Sequence, residues 1–357
     1  MIQPPPNARP GVQAVQRTAA LAAGLLCSLL VSTGCVADRS VAATRPAAPP
    51  SPESFAFALI GDMPYNESQV PVVEGLLAAI DADPQVQFAL HVGDIKGGGE
   101  RCDDALLEAR HRQIAQLRKP WLYTPGDNEW TDCHRPSNGR YRPTERLDKL
   151  RRLFHAHPLR SGGAAPLPLE SQATMPGHEG HVENAMFVHR RVLVATVHVP
   201  GSQNGLEPWS GLDGTDSPRQ PRADRLADFK AREAAALAWL DHAFARAAEQ
   251  RVAGVVLAFQ ANPAFEQAPG SRARLGFDAF IARLRQRTAE FARPVLVLHG
   301  DHHQHFVDRP FADDTSAPPA VRQLLRVQGW GHPWLDWVKL RADPAAPGVF
   351  SVESRSR

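Results

Sequence analysis

Four apolar runs of strand length each end on Gly-Asp, and no other feature constrains the fold of this chain as tightly. Phe55-Ala-Phe-Ala-Leu-Ile60 runs into Gly61-Asp62, and Val86-Gln-Phe-Ala-Leu-His-Val92 into Gly93-Asp94. Trp121-Leu-Tyr-Thr124 runs into Pro125-Gly126-Asp127, and Val295-Leu-Val-Leu-His299 into Gly300-Asp301. No other Gly-Asp pair occurs in the 357 residues. Glycine permits a tight turn at the end of each strand and leaves a carboxylate on it. In an open α/β sheet ligands lie beyond the carboxyl ends of the strands, so the four acids are expected to converge on one crevice. Carboxylates gathered there repel one another unless a positive charge lies between them, which points to a divalent metal.

Strand and helix patterns alternate between these runs. Ser68 to Ile80 is expected to be a helix with Pro71 in its first turn, and Val86 to Val92 completes a βαβ unit. Asp103 is placed as the cap of a helix over Asp104 to Arg118, Trp121 to Thr124 as the third strand, and Thr144 as the opening of a basic helix over Glu145 to His157. Residues 158–181 are full of Gly, Pro and Ser and read as loop. Val182 to Val199 alternates as a hairpin turning near Arg190-Arg191, and a polar loop follows from Gly201 to Arg219. The longest helix runs from Arg222 to Gln250, with Leu226, Phe229, Ala236, Leu240 and Phe244 on one face. Val252 to Phe259 as strand, Phe277 to Phe291 as helix and Val295 to His299 as strand repeat the alternation. Gln323 to Val327, Trp334 to Leu340 and Val349 to Val352 are strands without helices between them, which suits the antiparallel edge of a second sheet packed on the first. No low-complexity linker divides 54–357, so that stretch is read as one domain.

The charges nearly balance, 40 Lys and Arg against 38 Asp and Glu, which argues against bulk nucleic-acid binding. Arg9 and Arg17 precede the apolar run Ala19 to Val31 and then Ser32-Thr33-Gly34-Cys35, the pattern of an export signal over 1–35. The run is too short to span a membrane, so no transmembrane helix is expected in the mature chain. Gly34-Cys35 resembles a bacterial lipoprotein signal that would acylate Cys35, with Ser32 departing from that pattern, and cleavage near Ala37 is the alternative. The mature protein is then periplasmic or a membrane-anchored lipoprotein of a bacterial envelope. Residues 36–53, rich in Ala and Pro, read as a tether. Export places Cys102 and Cys133 in an oxidising compartment just after two neighbouring strand ends, and a disulfide between them is expected. A zinc site is the competing reading, but no CxxC spacing supports it.

Taken in order, Gly61-Asp62, Gly93-Asp94, Gly126-Asp127-Asn128-Glu129 and Gly300-Asp301-His302-His303 resemble the calcineurin-like metallophosphoesterases, which include the purple acid phosphatases. The resemblance implies an α/β fold of two stacked mixed β-sheets flanked by helices, with a pair of divalent metals at the strand ends. The family signature runs D-x-H, G-D, G-N-H-E/D, a His before a Pro, then G-H-x-H. Here Asp62 and Asp94 match the first two aspartates, while Pro64 stands in place of the first His. Asp127 stands where the family has its metal-binding Asn, and Asn128 replaces the His that protonates the leaving group. Glu129 matches. Gln260-Ala261-Asn262 precedes Pro263, so the His expected there is absent, and Asp301 replaces the first His of the last motif while His303 matches the second.

The substitutions share a direction, from imidazole to carboxylate or amide oxygen. The resemblance implies one metal on Asp62, Asp94 and His303 and another on Asp94, Asp127, Asp301 and either Asn262 or Gln260; a one-metal site is the alternative. Oxygen-rich ligation suits Mg²⁺, Mn²⁺ or Ca²⁺ better than Zn²⁺, with Fe also in the family's range. The implied chemistry is hydrolysis of a small phosphorylated substrate by metal-activated water, with Asp94 bridging; from their place directly after the third motif, Arg135 is read as a phosphate clamp and His134 as a substitute acid. The rival is a non-catalytic metal- or phosphate-binding protein on the same fold, favoured by Asn128 and Ala261. Simpler readings stand beside both: Asx turns for single aspartates, a surface cluster for His302, His303 and His305, and an ion pair from Arg135 to Asp132 or Glu129.

Overall fold

In the computed structural model, which describes residues 50–353, the period of two in the apolar runs becomes the layering of the fold. Along β1 (Phe55–Ile60), Phe55, Phe57 and Leu59 enter one core while Ala58 and Ile60 enter another. The chain continues through α1 (Val70–Ala82), β2 (Val86–His91), α2 (Asp104–Ile114), β3 (Trp121–Tyr123) and α3 (Pro143–Phe154). A short β4 (Glu170–Ser171) leads to the hairpin of β5 (Ala185–His189) and β6 (Val192–Thr196), then to a single turn, α4 (Gly201–Asn204), and the long α5 (Ala223–Glu249). The remaining elements are β7 (Gly254–Ala258), α6 (Asp278–Phe291), β8 (Val295–His299), β9 (Phe306–Asp308), α7 (Pro319–Arg322), β10 (Leu325–Gln328), β11 (Val338–Ala342) and β12 (Phe350–Glu353).

Two mixed sheets result. The first has the order β12-β11-β1-β2-β3, with β1, β2 and β3 parallel. The second has the order β4-β5-β6-β7-β8-β10-β9, with β6, β7, β8 and β10 parallel. Between them lie Phe57, Phe88 and Leu90 from the first sheet and Val194, Val256, Leu296 and Leu298 from the second, with the Phe57 and Phe88 rings stacked 5.1 Å apart. On the outer face of the second sheet, Trp239 and Leu240 of α5 and Phe280, Ile281 and Leu284 of α6 cover Val255, Leu257 and Val297. Val73 and Leu77 of α1, Leu107 of α2 and Leu147 and Leu150 of α3 cover the first sheet in the same way. The layers therefore run helix, sheet, sheet, helix, and each fully buried aliphatic or aromatic side chain contributes about 1.5–3 kcal/mol. Trp239, on the buried face of α5, also donates its indole N–H to the Thr196 carbonyl at 3.0 Å.

The tail differs from expectation, because its strands do not form one edge. β10 joins the second sheet, parallel to β8 and antiparallel to β9, while β11 returns to the first sheet antiparallel to β1 and carries β12 outside it. Alternation along β11 explains the return: Val338, Leu340 and Ala342 fill the core between the sheets, and Lys339 points the other way to Asp83 at 2.9 Å. Asp103 precedes α2, but its carboxylate bonds Arg101 and Tyr141 rather than the helix amides. α2 stops at Ile114, four residues early, and the chain beyond it is turned by Asp81, which accepts the N–H groups of Arg118 and Lys119. α3 opens at Pro143 rather than Thr144 and ends at Phe154, whose ring stacks on Tyr123. The stretch 158–181 contains β4, and β9 has no counterpart in the sequence reading; both are two- or three-residue strands, too short to show a period. Ser51, assigned to the tether, is docked by its N–H on Asp343 at 2.9 Å. The export signal, Cys35 and the tether up to residue 49 lie outside the described residues. No helix among the described residues is long and apolar enough to cross a membrane.

Cys102 and Cys133 form a disulfide that closes 31 positions of chain around β3. In the chain-entropy account a loop of this length stabilises by about 3–4 kcal/mol. The double variant Cys102→Ser/Cys133→Ser should lose that amount in urea unfolding monitored by circular dichroism. A loss below about 1 kcal/mol would show that the bridge does not constrain the unfolded chain.

Candidate metal centre

Parallel strands bring their carboxyl ends to one place, and the Gly-Asp turns meet there. Asp62 N–H donates to the Gly93 carbonyl at 3.0 Å, joining the ends of β1 and β2. Asp301 N–H donates to Asp62 Oδ1 at 2.9 Å, joining β8 of the second sheet to β1 of the first. Glu129 ties β2 to β3: its Oε1 accepts from Gly126 N–H at 2.7 Å, Tyr123 O–H at 2.8 Å and Asp94 N–H at 3.0 Å. The glycine of one pair makes room for the aspartate of another. A β-carbon on Gly126 would lie 2.0 Å from Asp94 Oδ1, and one on Gly300 would lie 2.0 Å from Asp62 Oδ2. Asp62, Asp94, Asp301 and His303 have φ of 54°, 53°, 81° and 64°, a left-handed conformation that costs a non-glycine residue about 1–2 kcal/mol. The bonds just named hold three of these backbones in it, which is where such strain is usually found to serve a site.

Among the described residues, Asp62, Asp94 and His303 are the one set of three His, Cys, Asp or Glu side chains whose ligand atoms all lie within 4.8 Å of one another. Asp62 is completely buried, and its Oδ2 has no hydrogen-bond partner. A buried carboxylate oxygen left bare is costly unless a cation or proton meets it. Burial comes first in holding the Asp62 and Asp94 carboxyls well above the usual range, and the neighbouring acids add to it. Burial pushes His303 down, which favours the neutral imidazole that a metal needs. Asn128 braces Asp94, donating its N–H to Oδ1 at 3.2 Å and its Nδ2 to Oδ2 at 2.9 Å.

Asp127 and Asp301 lie alongside, bonded to other groups. Asp127 Oδ2 accepts from Ser202 Oγ at 2.7 Å, and Asp301 Oδ2 accepts from Asn262 N–H at 2.7 Å. Asn262 Oδ1 accepts from Ala264 N–H at 3.1 Å, and Gln260 Oε1 from Gly201 N–H at 2.6 Å. Ser202 Oγ is also 2.8 Å from Asp132 Oδ1. The single hydroxyl hydrogen of Ser202 therefore lies between two carboxylates. Burial, then the charge of Asp127, pushes Asp132 up to about 7, with Arg135 pulling the other way. Arg135 is engaged by Asp132 at 2.7 Å. His134 is buried, its Nδ1 accepts from Gly211 N–H at 3.2 Å, and burial pushes its pKa down to about 4, so at neutral pH it holds no extra proton to give.

Three groups here escape the sequence reading. The Tyr65 hydroxyl lies 3.0 Å from both Asp94 Oδ2 and His303 Nε2, between two of the three ligand groups. Its only sequence signal is that it follows Asp62 by three residues. Ser202 follows Pro200-Gly201 in a polar loop, where nothing marks a serine as aimed at an acid. Lys96, two residues past Asp94, is fully buried with its Nζ on the Gly97 carbonyl at 2.9 Å.

No family model matches the chain, and no curated protein does. Among solved structures, one similar chain is GAP50, described as the anchor in the inner membrane complex of Plasmodium. It has 8% identity and a TM-score of 0.45 over 84% of this chain and 88% of that one. Another is TT1561 of Thermus thermophilus, with 10% identity and a TM-score of 0.41 over 84% of this chain and 98% of that one.

Asp301 gives a pH test of this electrostatic arrangement in metal-free protein. Burial, then the charge of Asp127, pushes its pKa up to about 8. A carboxyl raised in the folded state contributes stability below the unfolded pKa of about 3.9 and loses it as pH rises through the folded value. Relative to Asp301→Asn, the chelated wild type should therefore lose on the order of 1 kcal/mol per pH unit from about pH 5 to 8, then level off. Taking the difference removes the buried histidines' contribution. Parallel urea-midpoint curves for the two proteins across that range would show that Asp301 titrates normally.

Proposed function

We propose that this chain is an exported, metal-dependent phosphoric ester hydrolase, with Asp62, Asp94 and His303 as its metal ligands. The observation that carries the reading is the convergence of these three groups around a buried, unpartnered Asp62 oxygen. That donor set, two carboxylates and a neutral imidazole, fits a divalent ion, and a bare buried oxygen is what such an ion would satisfy. When bound, the ion supplies charge for the phosphoryl oxygens and lowers the pKa of a water. The motif order that resembles the calcineurin-like metallophosphoesterases supports the same reading, and the disulfide supports an oxidising compartment such as the periplasm.

The chain's own residues then set which esters it can cleave. Asn128 lies against Asp94, its amide nitrogen donating to Asp94 Oδ2 at 2.9 Å and to the Tyr65 hydroxyl at 3.1 Å, and an amide has no proton to transfer to a leaving oxygen. His134 is neutral at working pH and bonded to the loop at Gly211. Leaving-group protonation is worth about 10²–10⁴ in rate, so the reading favours substrates whose leaving group departs unprotonated, aryl phosphates and phosphoanhydrides before alkyl phosphates. Asp127 and Asp301 act on Asp62 and Asp94 as neighbouring charges, Asn262 bonds Asp301, and Arg135 would have to leave Asp132 to clamp a phosphate. The same Asn128 also favours a second reading, in which the chain binds a metal and a phosphate without hydrolysing it.

Protein stripped with chelator and reloaded with Mn²⁺ or Mg²⁺ should hydrolyse p-nitrophenyl phosphate far faster than an alkyl phosphate. Asp94→Asn should lower that rate by more than about 100-fold, since even groups that only orient a metal ligand are worth 10–100-fold. Hydrolysis that persists in chelator or in Asp94→Asn would rule the mechanism out. Metal and phosphate binding with no turnover would select the second reading.

A further inference from the structure

We infer that the centre is built for one divalent ion, and that a turn of this chain, Gly201–Asn204, closes the second metal position that the motif order suggests. This rests on the metal reading above. The second position would need Asp127 and Asp301 to join Asp94, with an amide oxygen from Asn262 or Gln260. In each of the four, one of the oxygens such a site would use is already hydrogen-bonded within the chain. Asp127 Oδ2 is taken by Ser202, Asp301 Oδ2 by the Asn262 backbone, Asn262 Oδ1 by Ala264 and Gln260 Oε1 by Gly201. No second set of three His, Cys, Asp or Glu ligand atoms within 4.8 Å occurs among the described residues, so Asp127 and Asp301 do not complete a cluster with Asp94. Asp62 differs in kind, since its Oδ2 is buried and has no partner.

The turn is held in place from several directions. Ser202, Gln203 and Asn204 have φ of 48°, 57° and 56°, three successive left-handed residues that no local preference of Ser or Gln supports. Gly201 presses against Asp127 so closely that a β-carbon there would lie 2.7 Å from Oδ2. The Gln203 side chain donates to the Ala273 carbonyl at 2.9 Å and accepts from Gly276 N–H at 3.2 Å. Buried Arg232 of α5 donates to the Asn204 carbonyl at 2.8 Å. A strained turn fixed by both a neighbouring loop and a helix stays where it is, and here it stays on the carboxylate that a second ion would need.

The test is metal stoichiometry, read without any substrate. Chelated full-length protein is titrated with Mn²⁺ and followed by native mass spectrometry and electron paramagnetic resonance. One ion per chain with an uncoupled Mn²⁺ spectrum is expected. Asp127→Asn and Asp301→Asn should keep that ion, while Asp62→Asn should weaken its binding by about 100-fold or more. Two ions per wild-type chain with a spin-coupled spectrum would overturn the inference and leave the hydrolase reading standing. Loss of the ion in Asp301→Asn with Asp62→Asn unaffected would also overturn it, by placing the ion at the other position. Failure of the wild type to bind any divalent ion would overturn both this inference and the hydrolase reading. The wild-type count decides the matter even if a variant fails to fold.

Discussion

Carboxylates buried at the meeting point of parallel strand ends repel one another, and the surroundings of the site are organised by that repulsion. Asp62, Asp94, Asp127, Glu129 and Asp132 are all buried, with Asp301 beside them. Each ionised carboxylate taken out of water costs several kcal/mol unless hydrogen bonds or a cation replace its hydration. Backbone amides do much of this: Gly126 and Asp94 donate to Glu129, Asn128 to Asp94, Asp301 to Asp62, and Asn262 to Asp301. Those same bonds lock the strand ends of two different sheets together, so the compensation of charge is also the assembly of the site. Among these acids, Asp62 Oδ2 and Glu129 Oε2 are the oxygens at which this compensation stops.

The fold makes such a meeting possible because the two sheets are pressed face to face by the alternating side of every strand. Phe57 and Leu59 of β1 and Leu296 and Leu298 of β8 share one core, which sets the ends of β1 and β8 beside each other. From there Asp301 reaches Asp62 across 239 positions of sequence. A slip of one residue in either strand would turn its apolar set out of the core and send its terminal acid to the wrong face. The disulfide acts on the third strand end in the same sense. Cys133 lies four residues beyond Glu129, so the bridge to Cys102 fixes the loop that holds the Asp127–Asp132 segment under the Ser202 turn.

What the sequence discloses of this arrangement follows from how local each signal is. A strand that ends on Gly-Asp is written in consecutive residues, so Asp62, Asp94, Asp127 and Asp301 are visible, as is His303 by its offset from Asp301. β8 has the same bounds in the sequence as in the structure because a continuous apolar run ended by Gly has no competing reading. β11 is visible as a strand, but its sheet is not, since Val338, Leu340 and Ala342 alternate equally well against either sheet and only contacts such as Lys339 to Asp83 decide between them. Tyr65 is hidden for a related reason. Its hydroxyl meets His303, 238 positions away, only after its N–H is held by Gln69 and its ring is laid on His332. Ser202 depends on a left-handed turn that neither Ser202 nor Gln203 prefers, so it becomes legible only once α5 and the 273–276 loop are in place.

Lys96 shows how the charge balance of such a site extends past the groups that touch a ligand. A fully buried ammonium is as costly as a buried carboxylate, and burial alone pushes its pKa down. Glu129 and Asp94 pull in the other direction, so the acids favour the charged lysine and the charged lysine favours ionised acids. The relation is reciprocal, as linkage requires. Replacing Lys96 with a neutral residue of similar size would leave Glu129 Oε2, already without a hydrogen-bond partner, with less positive charge nearby. Its proton would then be held more tightly, and with Oε1 already taken by three donors, Oε2 is where that proton would sit. With Lys96 charged, part of the charge of Glu129 and Asp94 is met from within the chain before any ion binds.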